Sequence, residues 1–219
     1  MGPLLVRGGR PGHAGRALTA PPRPWWFGPE TLSASRADAP FDLVLLDRDG
    51  TLNVRVPDGY VTRPDDLELL PGAAAGVGML TDAGCTTVLV TNQRGISRGL
   101  MDRSDLVAVH DRLSQLLAPA GGRVDAIVVC PHATGVCVCR KPLDGLFREA
   151  LARAPWADPR RCLMVGDMPS DLEPAIGLGM RAERVGPHRR LDVVAARLAG
   201  PQEGGDGPDD VRRGEGHVP

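Results

Sequence analysis

Two patterns alternate along the chain. Short apolar runs at residues 43–46, 86–90, 126–129 and 162–165, with a more polar one at 181–185, predict strands. Between them, apolar positions recur with a helical period at 71–83, 102–118, 143–154, 171–178 and 192–198. Leu43-Val44-Leu45-Leu46 contains no polar residue, as expected of a strand buried on both faces. Residues 86–90 are rich in β-branched side chains, Pro71 opens the first helical stretch, and Gly84 follows its end. This repetition predicts an α/β fold, a Rossmann-like three-layer sandwich with a mainly parallel sheet, helices on both faces and right-handed crossovers. Outside 41–199 the periodicity stops. Residues 1–40 and 200–219, dominated by Gly, Pro, Arg, Ala and Asp, predict a disordered N-terminal arm and a disordered C-terminal tail around one domain. Within the arm the aromatic triplet Trp25-Trp26-Phe27 stands out, and it reads as an incidental contact.

Four of the strands end in side chains that a turn alone does not require. Asp47 and Asp49 follow the first, Thr91 and Asn92 the second, Cys130 and His132 the third, and Asp167 with Asp171 the fourth. Parallel strands point the same way, so these groups gather at the carboxyl edge of the sheet, where ligands bind in open α/β folds. Asp and Gly are also ordinary turn residues, and a plain turn is the competing reading of Asp47 to Gly50 and of Thr91-Asn92.

Charge and composition narrow the possibilities. A formal net charge of -1, with no block of like charges, leaves no footprint for nucleic acid or an acidic membrane. Aromatic residues are only 3% of the chain, too few for a platform on which bases stack. No apolar run is long enough to span a bilayer, and residues 1–20 carry Arg, Gly and Pro where a signal peptide needs an apolar core. The expectation is a cytoplasmic monomer acting on a small molecule. Among the 26 basic residues Lys141 is the only lysine. In so arginine-rich a chain, a retained lysine points to a need for a compact ammonium that a planar guanidinium does not replace.

Asp47, Asp49 and Asp167 would lie close together, an arrangement that is costly unless a cation neutralises it. An all-oxygen set of this kind suits Mg²⁺ together with a substrate phosphate. An aspartate can attack phosphorus, and a second carboxyl two residues on can serve as acid and then base, so the pattern predicts phosphoryl transfer through an aspartyl-phosphate. Thr91 and Lys141 would supply donors to the migrating group. Cys130, His132, Cys137 and Cys139 form C-x-H-x4-C-x-C, enough ligands for a closed tetrahedral Zn²⁺ site of structural type. Disulfides compete for the same cysteines, although a cytoplasmic setting argues against them. Cys85 and Cys162, at strand starts, read as core residues. Zinc at this loop would fix Arg140 and Lys141, which follow directly, over the phosphate site.

Taken together, Asp47-Arg48-Asp49-Gly50-Thr51, Thr91-Asn92-Gln93, Arg140-Lys141-Pro142 and Gly166-Asp167 with Asp171 resemble the four motifs of the haloacid dehalogenase-like phosphatases. The likeness covers residues 42–185. The cysteine loop and Gly59-Tyr60-Val61 narrow it to the D-glycero-D-manno-heptose 1,7-bisphosphate 7-phosphatase family. The resemblance implies Asp47 as nucleophile and Asp49 as general acid and base. It implies Mg²⁺ on Asp47, the main-chain carbonyl of Asp49, and Asp167, with Thr91 and Lys141 stabilising the phosphoryl group. It further implies substrate contacts from Asp58, Gly59, Tyr60, Thr91, Asn92, Gln93, Arg94, Arg140 and Lys141, and a nearly capless fold whose loops wall the pocket. The expected substrate is a small phosphorylated sugar used in making nucleotide-activated heptose. Three departures bear on it. The spacing from His132 to Cys137 is short and looks more like the histidinol-phosphate phosphatases, Arg94 stands where a small residue is common, and Met168 stands where a lysine is often seen. Histidinol phosphate, or another small phosphomonoester, is therefore the alternative substrate. A non-catalytic zinc-knuckle binding module is the alternative of another class, and it requires a basic or aromatic surface.

Overall fold

In the computed structural model, which describes residues 21–199, six strands form one sheet. They are β1 (Trp25–Phe27), β2 (Leu43–Leu46), β3 (Thr86–Asn92), β4 (Ala126–Cys130), β5 (Cys162–Gly166) and β6 (Arg181–Arg184), in the order β1-β4-β3-β2-β5-β6. All neighbours pair in parallel except β1, which runs antiparallel to β4. The helices are α1 (Ala73–Asp82), α2 (Arg94–Ser97), α3 (Arg103–Leu117), α4 (Gly145–Arg153), α5 (Pro169–Gly177) and α6 (Leu191–Ala199).

The unbroken apolar character of β2 has a direct cause. Leu43 and Leu45 pack with Leu146, Phe147 and Ala150 of α4 and Ala175 of α5, while Val44 and Leu46 pack with Val77 and Leu80 of α1, Val109 and Leu113 of α3, and Val194 and Leu198 of α6. With helices on both faces, all four β2 side chains are buried, each contributing about 1.5–3 kcal/mol. The expected three-layer sandwich is what these contacts describe. Register then aligns the strand ends. Leu46 sits beside Leu89 and Val165, and Asn92 beside Cys130, so the residues that follow converge on one edge. Between β2 and α1 the chain is a loop with one 3-10 turn at Pro64–Asp66, and among the described residues no separate cap domain stands over that edge.

Several boundaries differ from those expected. The first is the N-terminal arm. Residues 21–40 are not loose: Trp25, Trp26 and Phe27 pair with Val129, Val128 and Ile127, and Leu32 and Ala39 are buried. Three consecutive aromatics need cover, and the free flank of β4 offers both backbone partners and apolar neighbours. The expectations for residues 1–20 and 200–219 lie outside the described residues. α1 begins two residues after Pro71, because Gly72 takes a left-handed turn at its N-cap, φ 83°. α5 begins at Pro169, whose missing N–H costs nothing in a first turn. β3 runs two residues past Val90, since Thr91 and Asn92 still pair with β4. α2 is a four-residue helix too short to leave a periodic signal.

Candidate active site

The edge that gathers the strand ends is also a cleft. A cavity of about 610 Å³ is lined by Asp47, Asp49, Thr91, Asn92, Arg140 and Lys141 from the strand ends, and by the loop from Arg55 to Tyr60. Lys141 is its centre. Buried to 5% exposure, its ammonium donates to Asp47 Oδ1 at 2.6 Å and to the carbonyl of Val90 at 2.8 Å, and it pairs with Asp171 Oδ1 at 2.7 Å. Burial disfavours its charge, but Asp47 and Asp171 outweigh that and hold it above the ordinary lysine range. The backbone of Lys141 is fixed as well. Its N–H donates to Asn92 Oδ1 and its carbonyl accepts from Asn92 Nδ2, both at 3.1 Å.

Asp47 and Asp49, two residues apart, have opposite surroundings. Burial, opposed by Lys141 and reinforced by Asp171 and Asp49, holds the Asp47 carboxyl well above the carboxylate range. Asp49 is also desolvated, but Arg48, Asn53 and Gln93 more than compensate and keep it below that range. Arg48 is completely buried and donates to Asp49 Oδ1 at 2.9 Å and Oδ2 at 3.0 Å; Asn53 Nδ2 donates to Oδ1 at 3.0 Å and Gln93 Nε2 to Oδ2 at 2.9 Å. Behind Arg48 lies His110, buried against Phe27, its Nε2 3.5 Å from Arg48 Nη1. This places His110 outside the cavity.

Carboxylate oxygens of Asp47, Asp167 and Asp171 lie within 4.8 Å of one another. Asp167 reaches this position because Gly50, at φ 93°, has no Cβ, which would overlap the Asp167 carboxylate. The main-chain carbonyl of Asp49 points to the same place: a single nitrogen of Arg55 lies 2.8 Å from it and 3.0 and 2.9 Å from the two oxygens of Asp167. Oxygens so convergent that they attract a guanidinium are chemically suited to a hard divalent cation. The expected Mg²⁺ ligands Asp47, Asp49 and Asp167 are therefore together, with Asp171 in addition.

The expected substrate contacts divide. Asp58, Gly59, Tyr60, Thr91, Asn92, Arg140 and Lys141 line the cavity, whereas Gln93 and Arg94 do not. Gln93 is fully buried, its amide spent on Asp49 and on Thr91 Oγ1 at 3.0 Å, and Arg94 turns outward as the first residue of α2. Because Thr91 Oγ1 accepts from Gln93, its hydroxyl proton is free to donate. Arg140 Nη1 is buried without a partner, a donor suited to an anion. Arg55 and Arg98 also line the cavity, and Arg98 stacks on the Tyr60 ring at 5.8 Å. Neither stands out in a sequence whose basic residues are nearly all arginine. Asp171 was legible through its spacing from Asp167, though its contact with Lys141 was not.

Cys130, His132, Cys137 and Cys139 converge at the end of β4. Cys130 Sγ is 3.6 Å from Cys137 Sγ and 3.7 Å from His132 Nδ1, which is 3.2 Å from Cys139 Sγ. Ligand atoms around tetrahedral zinc lie roughly 3.5–3.8 Å apart given its bond lengths; the two Cys130 spacings match, and the His132–Cys139 spacing is shorter. All five cysteines are unpaired in this structure.

Comparison with known proteins agrees with this geometry. Residues 138–190 match a protein family described as "HAD-hyrolase-like". The chain is 44% identical over 138 residues to D-glycero-beta-D-manno-heptose-1,7-bisphosphate 7-phosphatase of Bordetella bronchiseptica, covering 63% of this chain and 76% of that protein. It is 41% identical over 131 residues to D-glycero-alpha-D-manno-heptose-1,7-bisphosphate 7-phosphatase of Mycobacterium tuberculosis, covering 59% and 69%. Among solved structures, the D,D-heptose 1,7-bisphosphate phosphatase of Bordetella bronchiseptica, complexed with magnesium and phosphate, superposes with a TM-score of 0.66 at 38% identity, over 71% of this chain and 97% of that one.

Proposed function

This chain belongs to the D-glycero-D-manno-heptose-1,7-bisphosphate 7-phosphatase family of HAD-like phosphomonoester hydrolases, and from that premise we infer that it removes the 7-phosphate of a heptose 1,7-bisphosphate. The observation that carries the reading is the buried Lys141 ammonium held between Asp47 and Asp171, with Arg98 and Arg140 lining the same cavity. One cation centre serves the phosphate that leaves. The two arginines suit the phosphate that stays.

In this reading Lys141 and the Thr91 hydroxyl orient the phosphoryl group, and Asp47 attacks phosphorus in line with the sugar oxygen. The P–O bond to C7 breaks as Asp49, in its protonated form, gives its proton to the departing oxygen, leaving an aspartyl-phosphate on Asp47. Asp49, now a carboxylate, takes a proton from water as that water attacks phosphorus. The P–O bond to Asp47 breaks, inorganic phosphate leaves and the nucleophile is restored. Asp47, the carbonyl of Asp49, and Asp167 would hold Mg²⁺, which when bound offsets the crowding of carboxylates and phosphoryl oxygens. Arg48, Asn53 and Gln93 define where Asp49 rests and favour the carboxylate it needs as base.

Cys130, His132, Cys137 and Cys139 would hold a structural zinc, with the spacing of their ligand atoms in support. Two residues separate Cys139 from Pro142, so the metal would steady Arg140 and Lys141. The working form in this reading is a cytoplasmic monomer acting on a small phosphorylated sugar. No helix among the described residues is long and apolar enough to cross a membrane.

The test is phosphate release, with and without Mg²⁺, from the α and β anomers of heptose 1,7-bisphosphate and from histidinol phosphate. Mg²⁺-dependent turnover of one heptose anomer is expected. Turnover of histidinol phosphate alone would overturn the substrate, and no release from any of the three would overturn the reaction.

A further inference from the structure

We propose that Arg55 is a tethered competitor of the divalent cation, its guanidinium drawing on oxygens of two of the three groups that the metal requires. The inference rests on the Mg²⁺ reading above and concerns a residue to which that reading gives no task. One nitrogen of Arg55 contacts the Asp49 main-chain oxygen at 2.8 Å and the Asp167 oxygens at 3.0 and 2.9 Å. Mg²⁺ binds its oxygens at about 2.0–2.1 Å. A nitrogen nearly equidistant from three convergent oxygens and an ion coordinated by them occupy the same small volume, so one excludes the other.

The backbone supports such a device. Asn53, two residues earlier, is fully buried and bridged to both Asp49 and Leu69, and Val54 N–H donates to Glu68 at 2.8 Å, so the root of the arginine is fixed beside the site. Its far end is free to move. The Arg55 side chain is 48% exposed while Asp167 is 18% exposed, so the guanidinium leaves into solvent or cavity without disturbing packed neighbours. Arg55 also lines the 610 Å³ cavity that holds Arg98 and Arg140. A cation that displaces Arg55 from Asp167 therefore returns a positive charge to the space that receives an anionic substrate. Metal loading and readiness for substrate become linked through one side chain.

The experiment compares the full chain with Arg55→Gln and Arg98→Gln. Arg98 lines the same cavity and loses the same charge, but it does not touch these oxygens. After removal of metal with a chelator, Mg²⁺ binding is measured by calorimetry and thermal unfolding is followed with and without Mg²⁺. Arg55→Gln is expected to bind Mg²⁺ about fivefold more tightly, the scale of a half-exposed ion pair removed as competitor. It should also melt lower than the parent without Mg²⁺ and gain more from its addition. Equal Mg²⁺ affinity in Arg55→Gln and Arg98→Gln would overturn the proposal while leaving the metal site intact. Absence of Mg²⁺ binding to all three proteins would overturn the metal reading, and the proposal with it.

Discussion

Asp47 and Asp49 show how neighbours, more than residue type, set chemical roles. Asp47 keeps a buried carboxyl whose main donor is Lys141, whereas Asp49 is gripped by a fully buried arginine and two amides. Asp47→Asn is expected to lower phosphate release by a factor on the order of 10³ or more, because a carboxamide does not form an acyl-phosphate. Its thermal unfolding should stay close to that of the parent, and appreciable residual turnover would exclude the covalent route. Lys141 was legible in the sequence because it is the only lysine, and Asp47 and Asp49 because an apolar strand stops at them. Gln93 does not line the cavity, for a physical reason. A strand end exposes alternate side chains to the cleft, and sequence does not say that Gln93 turns inward to serve Asp49 and Thr91.

The β4 end and the loop that follows are the element on which the cations depend. Cys139 is completely buried and Arg140 and Lys141 follow directly, so the cysteine-histidine cluster and the Lys141 ammonium share one short segment. Cys137→Ser should therefore lower zinc content, thermal stability and phosphate release together, checked by metal analysis beside a melting curve. Retention of one zinc per chain would show that the ligand set is wrong. The strands were readable from apolar runs and the longer helices from their period and their caps. The structure adds a capping box at the start of α3, where Asp102 accepts from the N–H groups of Ser104 and Asp105 while Asp105 accepts from that of Asp102. What escaped was structure without period: the four residues of α2 and the three of β1, which are defined by the neighbours they meet.

At the scale of the whole molecule, acid stability follows from a histidine on the far side of the site. Burial, with Arg48 adding, lowers His110 from 6.5 to about 3. The unfolded chain therefore takes up a proton that the folded chain refuses, and stability present above pH 6.5 is lost as pH falls towards 3. Asp47, held high by burial, acts in the opposite sense, favouring the folded state as pH falls. Comparing His110→Gln with the parent isolates the histidine: urea unfolding across this window should show a flatter acid limb in the variant. A limb of unchanged slope would mean that His110 is not the group responsible.

The pairing of Trp25–Phe27 with β4 has a colloidal consequence. The flank of a sheet carries unpaired N–H and C=O groups that template the strand of any neighbouring chain, and here that flank belongs to the apolar β4. The aromatic strand occupies it from within the same molecule. A protein begun at Phe41 would retain every residue of the catalytic cleft yet present β4 as an open ladder. It should form concentration-dependent, light-scattering assemblies under conditions in which the full chain stays dispersed.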